Sequence, residues 1–224
     1  MIKVVFLVSS NGGFLKFLHQ YLTLHAIQEI EIIGVIGDRD CLAIKYANSQ
    51  KIENKTIKYN KENRSELFHA LQGFNPDLIV TNIFKILDKK IVTYFENKLI
   101  NFHYSLLPSF KGLIGVQTIK EAKKLNCKFI GTTCHFVDEN VDNGKIISQA
   151  VFHLSNSDEI EYLNSIMFRA NCLMGLNIIY TFNKLNHSIP NSLDINGKNV
   201  LFSPMFNDNL SIPDESFWDK IKSL

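Results

Sequence analysis

An amide and an imidazole stand two residues apart in the stretch Asn101-Phe102-His103-Tyr104-Ser105-Leu106-Leu107-Pro108-Ser109-Phe110-Lys111-Gly112. Residues i and i+2 at the end of a strand project from one face. The Ser-Leu-Leu-Pro turn then leads the chain away and leaves a cleft beyond the strand's carboxyl end, where open α/β sheets bind ligands. A carboxylate, Asp142, sits just before Asn143-Gly144 in a second stretch that begins at His135. Together these groups suit acyl transfer to an amine. Asn101 can donate its amide N–H to a developing oxyanion. His103 can donate a charge-assisted hydrogen bond there, or shuttle a proton near neutral pH. Asp142 can hold the imidazole, raise its basicity, or accept the amine's proton directly or through a water. Each piece alone has a plainer reading, since Asn-x-His is often a polar strand end and an Asp before Asn-Gly a turn former. Their combination favours chemistry.

The elements that must position these groups are legible in the periodicity. Ile2 to Val8, apolar except at Lys3, suits a strand buried on both faces. It leads through the turn Ser9-Ser10-Asn11-Gly12-Gly13 into helical spacing from Phe14 to Leu22. Strands are expected at Ile30–Ile36, Thr56–Tyr59, Asp77–Thr81 and Leu99–Phe102, with helices at Cys41–Ser49 and Lys61–Leu71, the latter stopped by Gly73-Phe74-Asn75-Pro76. Successive βα units predict an α/β fold: an open, mostly parallel twisted sheet with helices on both faces. Further on, Gly112–Leu125 reads as a helix, Phe129–Val137 and Lys145–Leu154 as an antiparallel ribbon, and Asp158–Asn186 as a long helix broken near Gly175. A loop-rich tail follows, with a hairpin signal at Asn196-Gly197. The expected division is a catalytic domain over 1–187 and a C-terminal extension over 188–224.

Bulk properties narrow the function. The chain has 224 residues, 46% of them hydrophobic, and 24 basic against 22 acidic side chains give a net charge of +2. A phosphate-backbone binder needs an evident basic surplus, so no nucleic-acid partner is expected, although a local basic pocket for a small phosphorylated substrate stays open. Cys41, Cys127, Cys134 and Cys172 are widely spread, without a C-x-x-C pair, and read as reduced, buried thiols. No closely spaced ligands suggest a metal site. The first apolar run is too short for a signal peptide, and no stretch reaches the roughly 20 apolar residues of a membrane span, so a cytoplasmic protein with no membrane partner is expected.

At Asn101 to Gly112 and His135 to Gly144 the chain resembles the formyltransferase family that uses 10-formyltetrahydrofolate, and within it the glycinamide ribonucleotide formyltransferases. The family pattern Asn-(Ile/Leu)-His-x-Ser-Leu-Leu-Pro, then His-x-Val and Asp-x-Gly, is met with Phe102 and Asn143 as the departures. The likeness extends more loosely over about the first 180 residues. It implies a catalytic trio at Asn101, His103 and Asp142, with 10-formyltetrahydrofolate as formyl donor and no metal. It also implies a folate pocket at Phe84, Lys85, Ile86 and Leu87 and in the loop Asp138, Glu139, Asn140 and Val141. From periodicity alone, Ile83 to Leu87 would be ordinary core.

The acceptor side departs from the family. The turn carrying Asn11, Gly12 and Gly13 can present backbone N–H groups to a phosphate at a helix N-terminus, but Gly13 and Phe14 replace two polar residues that the resemblance would place there. A glutamate expected on the long helix falls at Asn171. Nearby Arg169 could meet a phosphate, its plainer reading being a solvated helix face. An altered shell implies an altered acceptor. The expectation is therefore a phosphate-bearing primary amine, a nucleotide-linked amino sugar for surface polysaccharide, with glycinamide ribonucleotide as the alternative. A non-catalytic folate or nucleotide binder and a deformylating hydrolase are further rivals. Methionyl-tRNA formylation is set aside, because it usually needs an RNA-binding domain. Phe202, Phe206, Phe217 and Trp218 in the tail would stack on a base, pack on the domain or meet a second copy in a homodimer, with packing or a dimer contact favoured.

Overall fold

The computed structural model describes residues 1–60, 62–182 and 190–224. In chain order the elements begin β1 (Ile2–Val8), α1 (Gly13–Leu24), β2 (Ile30–Gly37), α2 (Leu42–Ser49), β3 (Asn54–Thr56), α3 (Arg64–Phe74), β4 (Leu78–Asn82) and α4 (Lys89–Tyr94). They continue with β5 (Leu99–His103), α5 (Val116–Lys124), β6 (Phe129–Phe136), β7 (Ile146–His153), α6 (Ile160–Thr181), β8 (Asn191–Ile195), β9 (Lys198–Ser203) and α7 (Glu215–Ser223). Two compact units emerge, one of Met1–Asn101 with Pro213–Leu224 and one of Phe102–Ile212.

The first unit is a parallel α/β layer with strand order β3-β2-β1-β4-β5. The apolar run of β1 explains its place. Val4 to Val8 are at most 1% exposed, as befits a strand covered on both faces. The carboxyl ends of β1, β2 and β4 are tied together, Ser9 N–H donating to Asn82 O at 3.1 Å and Asp38 N–H to Val8 O at 3.1 Å. Helix α7 packs on α1: Trp218 stacks on Phe17 with ring centroids 5.2 Å apart, and Phe217 meets the same ring edge-on at 5.7 Å.

The second unit is antiparallel, with order β6-β7-β9-β8 and the long helix α6 against it. Asn196 and Gly197 turn the β8–β9 hairpin with φ of 51° and 81°, the left-handed values that a two-residue turn requires. Phe202 and Phe206 are buried here, as Phe217 and Trp218 are in the first unit, so all four tail aromatics serve packing.

Several boundaries differ from expectation. Helix α3 runs through Gly73 to Phe74, because the left-handed Asn75 (φ 47°) supplies the C-cap. Lys61 lies outside the described residues. Strand β3 is shifted back to Asn54–Thr56, and Tyr59 instead bonds Asp88 at 3.1 Å. Helix α5 starts at Val116, because Gly112 and Gly115 have positive φ and form a loop. Helix α6 is unbroken at Gly175: both neighbours, Met174 and Leu176, are fully buried, and that packing outweighs the roughly 1 kcal/mol cost of an interior glycine. Residues 183–186 of the expected helix, and the expected boundary at 187/188, lie outside the described residues. Helices α4 and α7 had not been expected at all. Among the described residues no helix is long and apolar enough to cross a membrane.

Candidate active site

Two threonines on β6 fix the end of β5 and the turn after it. The Thr132 hydroxyl lies 3.1 Å from His103 O, and Thr133 Oγ1 donates to Ser105 O at 2.7 Å while accepting Leu107 N–H at 3.1 Å. Both threonines are fully buried, so these bonds are sheltered from water. The chain then turns through a cis Leu107–Pro108 bond and reaches Phe110, held at φ 59°.

His103 is buried and faces acceptors with both nitrogens: Nδ1 lies 3.3 Å from Asp142 Oδ2, and Nε2 lies 3.1 Å from Phe110 O. Asp142 takes a second bond on Oδ2 from Gly112 N–H at 2.9 Å. Its backbone is left-handed at φ 50°, a conformation that non-glycine residues seldom adopt and that clusters at functional sites. The two loops are laced together by Lys111 Nζ donating to Asn143 Oδ1 (2.8 Å) and Asn143 Nδ2 donating to Asp138 Oδ2 (3.2 Å). The structure thus brings His103 and Asp142 together across 39 residues of sequence.

Sequence reasoning missed His135. It is 3% exposed, and its Nε2 stands 3.8 Å from Asp142 Oδ1. Burial pushes its pKa down, while its bond to Phe136 O and the charge of Asp142 act the other way. Its place in a His-x-Val pattern just ahead of Asp142 was the available signal. Gly144 explains the close return of the loop, since a Cβ there would meet Phe136 O at 1.7 Å.

Asn101 belongs to the first unit and is only partly buried. Its Nδ2 is directed at Thr81, with O at 2.8 Å and Oγ1 at 3.1 Å. Donation to an oxyanion would therefore draw on an amide already engaged.

The segment after β4, which periodicity alone would make core, is mostly exposed. Phe84 is 57% and Ile86 71% exposed, Lys85 is exposed as well, and only Leu87 is buried. Phe84 N–H donates to Ser9 Oγ at 2.8 Å, and the Arg39 guanidinium lies 5.6 Å from the Phe84 ring. In the second unit Val141 is 54% exposed, Glu139 and Asn140 are exposed, and Asp138 accepts Asn140 N–H at 2.8 Å.

On the acceptor side, Asn11 is exposed, Gly12 (φ 66°) caps α1 without a side-chain bond, and Gly13 opens the helix. Phe14 is buried, 5.8 Å from the Phe6 ring. Arg169 is 3% exposed, which corrects the solvated-face reading. Asn171 is buried with Oδ1 2.9 Å from the Thr132 hydroxyl. All four cysteines are free thiols; Cys134 and Cys172 are buried, and Cys41 and Cys127 partly so. Among the described residues no group of three or more His, Cys, Asp or Glu side chains could hold a metal ion.

A parallel α/β layer that ends in Asn-x-His, followed by a loop returning a carboxylate to that histidine, places the chain in a known class. Residues 2–171 match the Formyl transferase family, and the chain belongs to it. Among its relatives, the formyltetrahydrofolate deformylase of Escherichia coli is 32% identical over 134 residues, which are 58% of this chain and 46% of that one. The chloroplastic phosphoribosylglycinamide formyltransferase of Arabidopsis thaliana is 27% identical over 172 residues, covering 72% of this chain and 58% of that one. Among solved structures, glycinamide ribonucleotide transformylase 1 from Symbiobacterium toebii superposes with a TM-score of 0.72 at 26% identity, over 81% of this chain and 87% of the other. The chain spans about half the length of these two curated relatives.

Proposed function

We propose that the protein is an N-formyltransferase that moves a formyl group from 10-formyltetrahydrofolate to the primary amine of a phosphate-bearing small molecule. The observation that carries this reading is the buried His103–Asp142 contact at 3.3 Å, within a chain of the formyl transferase family. Asn101 and His103 stabilise the oxyanion on the attacked carbon, Asn101 releasing Thr81 and His103 releasing the Phe110 carbonyl to do so. Asp142 keeps the imidazole oriented and receives the amine's proton. Phe84 to Leu87 and Asp138 to Val141 hold the folate, chiefly through backbone groups and exposed apolar carbon. Asn11, Gly12, Gly13 and Arg169 form the acceptor's side. Residues 1–187 make the catalytic domain, supported by the family match over 2–171, and 188–224 an extension; the protein works in the cytoplasm on a small phosphorylated amine, without a nucleic-acid or membrane partner, and a homodimer stays open.

For the acceptor we favour a nucleotide-linked amino sugar. Phe14 is spent on packing and Asn171 on Thr132, so neither supplies the polar contact that a ribonucleotide acceptor is expected to need there. Glycinamide ribonucleotide is the alternative, supported by the names of the Arabidopsis and Symbiobacterium relatives. Supplying 10-formyltetrahydrofolate with each amine in turn and following tetrahydrofolate release separates them. Turnover of the ribonucleotide at roughly 1 per second or faster overturns the sugar reading. The likeness to a deformylase favours a further arm, in which tetrahydrofolate and formate appear with no amine present.

A further inference from the structure

Asp142 Oδ2 is occupied by Gly112 N–H and His103, whereas Oδ1 looks toward His135 Nε2 across 3.8 Å, beyond hydrogen-bonding range. His135 Nδ1 lies 2.8 Å from Phe136 O. A carbonyl can only accept, so Nδ1 carries the ring's proton and Nε2 presents a lone pair. Among the described residues, His135 Nε2 is the one buried side-chain nitrogen or oxygen with no hydrogen-bond partner. Such atoms are rare in native proteins and mark either a missing partner or a working group. Here two acceptors face each other at a distance that a small side-chain rotation closes once one proton is added. Phe136 O also lies close against Gly144, where an added Cβ would meet it at 1.7 Å.

We propose that His135 is a positioning residue that acts through Asp142, holding on Nε2 the proton that the acceptor amine releases. The inference rests on the formyl-transfer reading. As the amine nitrogen bonds to the formyl carbon it loses one proton, and as the bond from that carbon to the donor's nitrogen breaks, that nitrogen gains one. The two changes cancel, so the protein must keep a single proton in the interval. Asp142 takes it and passes it to Nε2. Asp142 is then again a carboxylate, keeps Gly112 N–H and His103, and gains an N–H···O bond from a charged His135. Without His135, a protonated Asp142 would weaken its hold on His103 during the step that needs it. The titratable groups that act on His135 are Asp142, His103 and Asp138. Burial keeps the resting ring neutral and ready to accept.

His135→Gln keeps a hydrogen-bonding group but cannot carry a proton. It should lower kcat about tenfold to a hundredfold with both KM values within about twofold, and should remove the acid limb of the kcat–pH profile. His135→Asn, smaller in the same site, should do the same, with circular dichroism confirming that both variants fold. Nitrogen NMR of the histidine rings in the intact chain should show the Nδ1–H tautomer, with a titration that drops by about half a pH unit or more in Asp142→Asn. Wild-type kcat and an unchanged acid limb in both folded variants overturn the relay and leave formyl transfer standing, as does a His135 titration indifferent to Asp142→Asn. A wild-type chain that formylates no amine sinks the transfer reading and the relay with it.

Discussion

His103 is buried and Asp142 half-buried, and each side chain also meets a backbone group, Phe110 O and Gly112 N–H respectively. On the proposed formyl-transfer reading, removing either deletes a group that acts on moving protons. His103→Ala and Asp142→Asn should each lower kcat by about 10²–10⁴ while shifting acceptor KM far less. Steady-state kinetics check this, and equal losses in kcat and in acceptor binding would count against the assigned roles. Asp38 offers a pH test elsewhere. Burial pushes its carboxyl up, but hydrogen bonds from Arg39 and Ser9 and the charges of Arg39 and Lys85 hold it below the ordinary value. The folded state therefore binds that proton more weakly than the unfolded chain does. The stabilisation is complete above about pH 4 and is lost as pH falls through the folded-state value. Thermal unfolding should show Asp38→Asn less stable than wild type at pH 7, with the gap closing in acid; a gap that persists unchanged would contradict the pairing.

At the scale of elements, α4 shows how a short helix is set by its cap. Asp88 accepts Ile91 N–H at 3.1 Å and meets the Tyr59 hydroxyl at 3.1 Å; Asp88 N–H in turn donates to that hydroxyl at 2.8 Å. Burial is the main cause that pushes the Tyr59 phenol up to about 12, so it stays a neutral donor at any working pH. Asp88→Ala should cost about 0.5–2 kcal/mol in urea unfolding, and no loss would show that the cap is dispensable. Six residues are too few for helical periodicity to stand out, and the Asp signal alone was ambiguous, which is why α4 escaped a reading by pattern. Helix α7 escaped because Pro213 and the polar residues before it look like loop, although Asp214 caps it by accepting Phe217 N–H at 3.0 Å. Strands β1, β2 and β4 were legible because their buried stretches, Val4–Val8, Gly34–Gly37 and Leu78–Thr81, are mostly apolar.

For the molecule as a whole, the C-terminal segment closes the first unit over α1. Trp218 is 4% exposed and stacked on Phe17. Trp218→Ala should destabilise by about 3–5 kcal/mol, the range for emptying a buried aromatic site. Chemical denaturation measures it, and a loss below about 1 kcal/mol would mean that α7 adds little to the unit. The amino-acid sequence by itself determined the parallel α/β layer, the hairpin at Asn196-Gly197 and the functional groups offered at Asn101, His103 and Asp142, because periodicity, turn residues and functional-group type are properties of neighbours along the chain. Only the tertiary structure decided that Phe84 and Ile86 are exposed, that Arg169 is buried, that Asn101 is turned to Thr81, and that His135 Nε2 stands without a hydrogen-bond partner 3.8 Å from Asp142. Each of these depends on which distant groups compete for the same side chain, and that competition is settled only by folding.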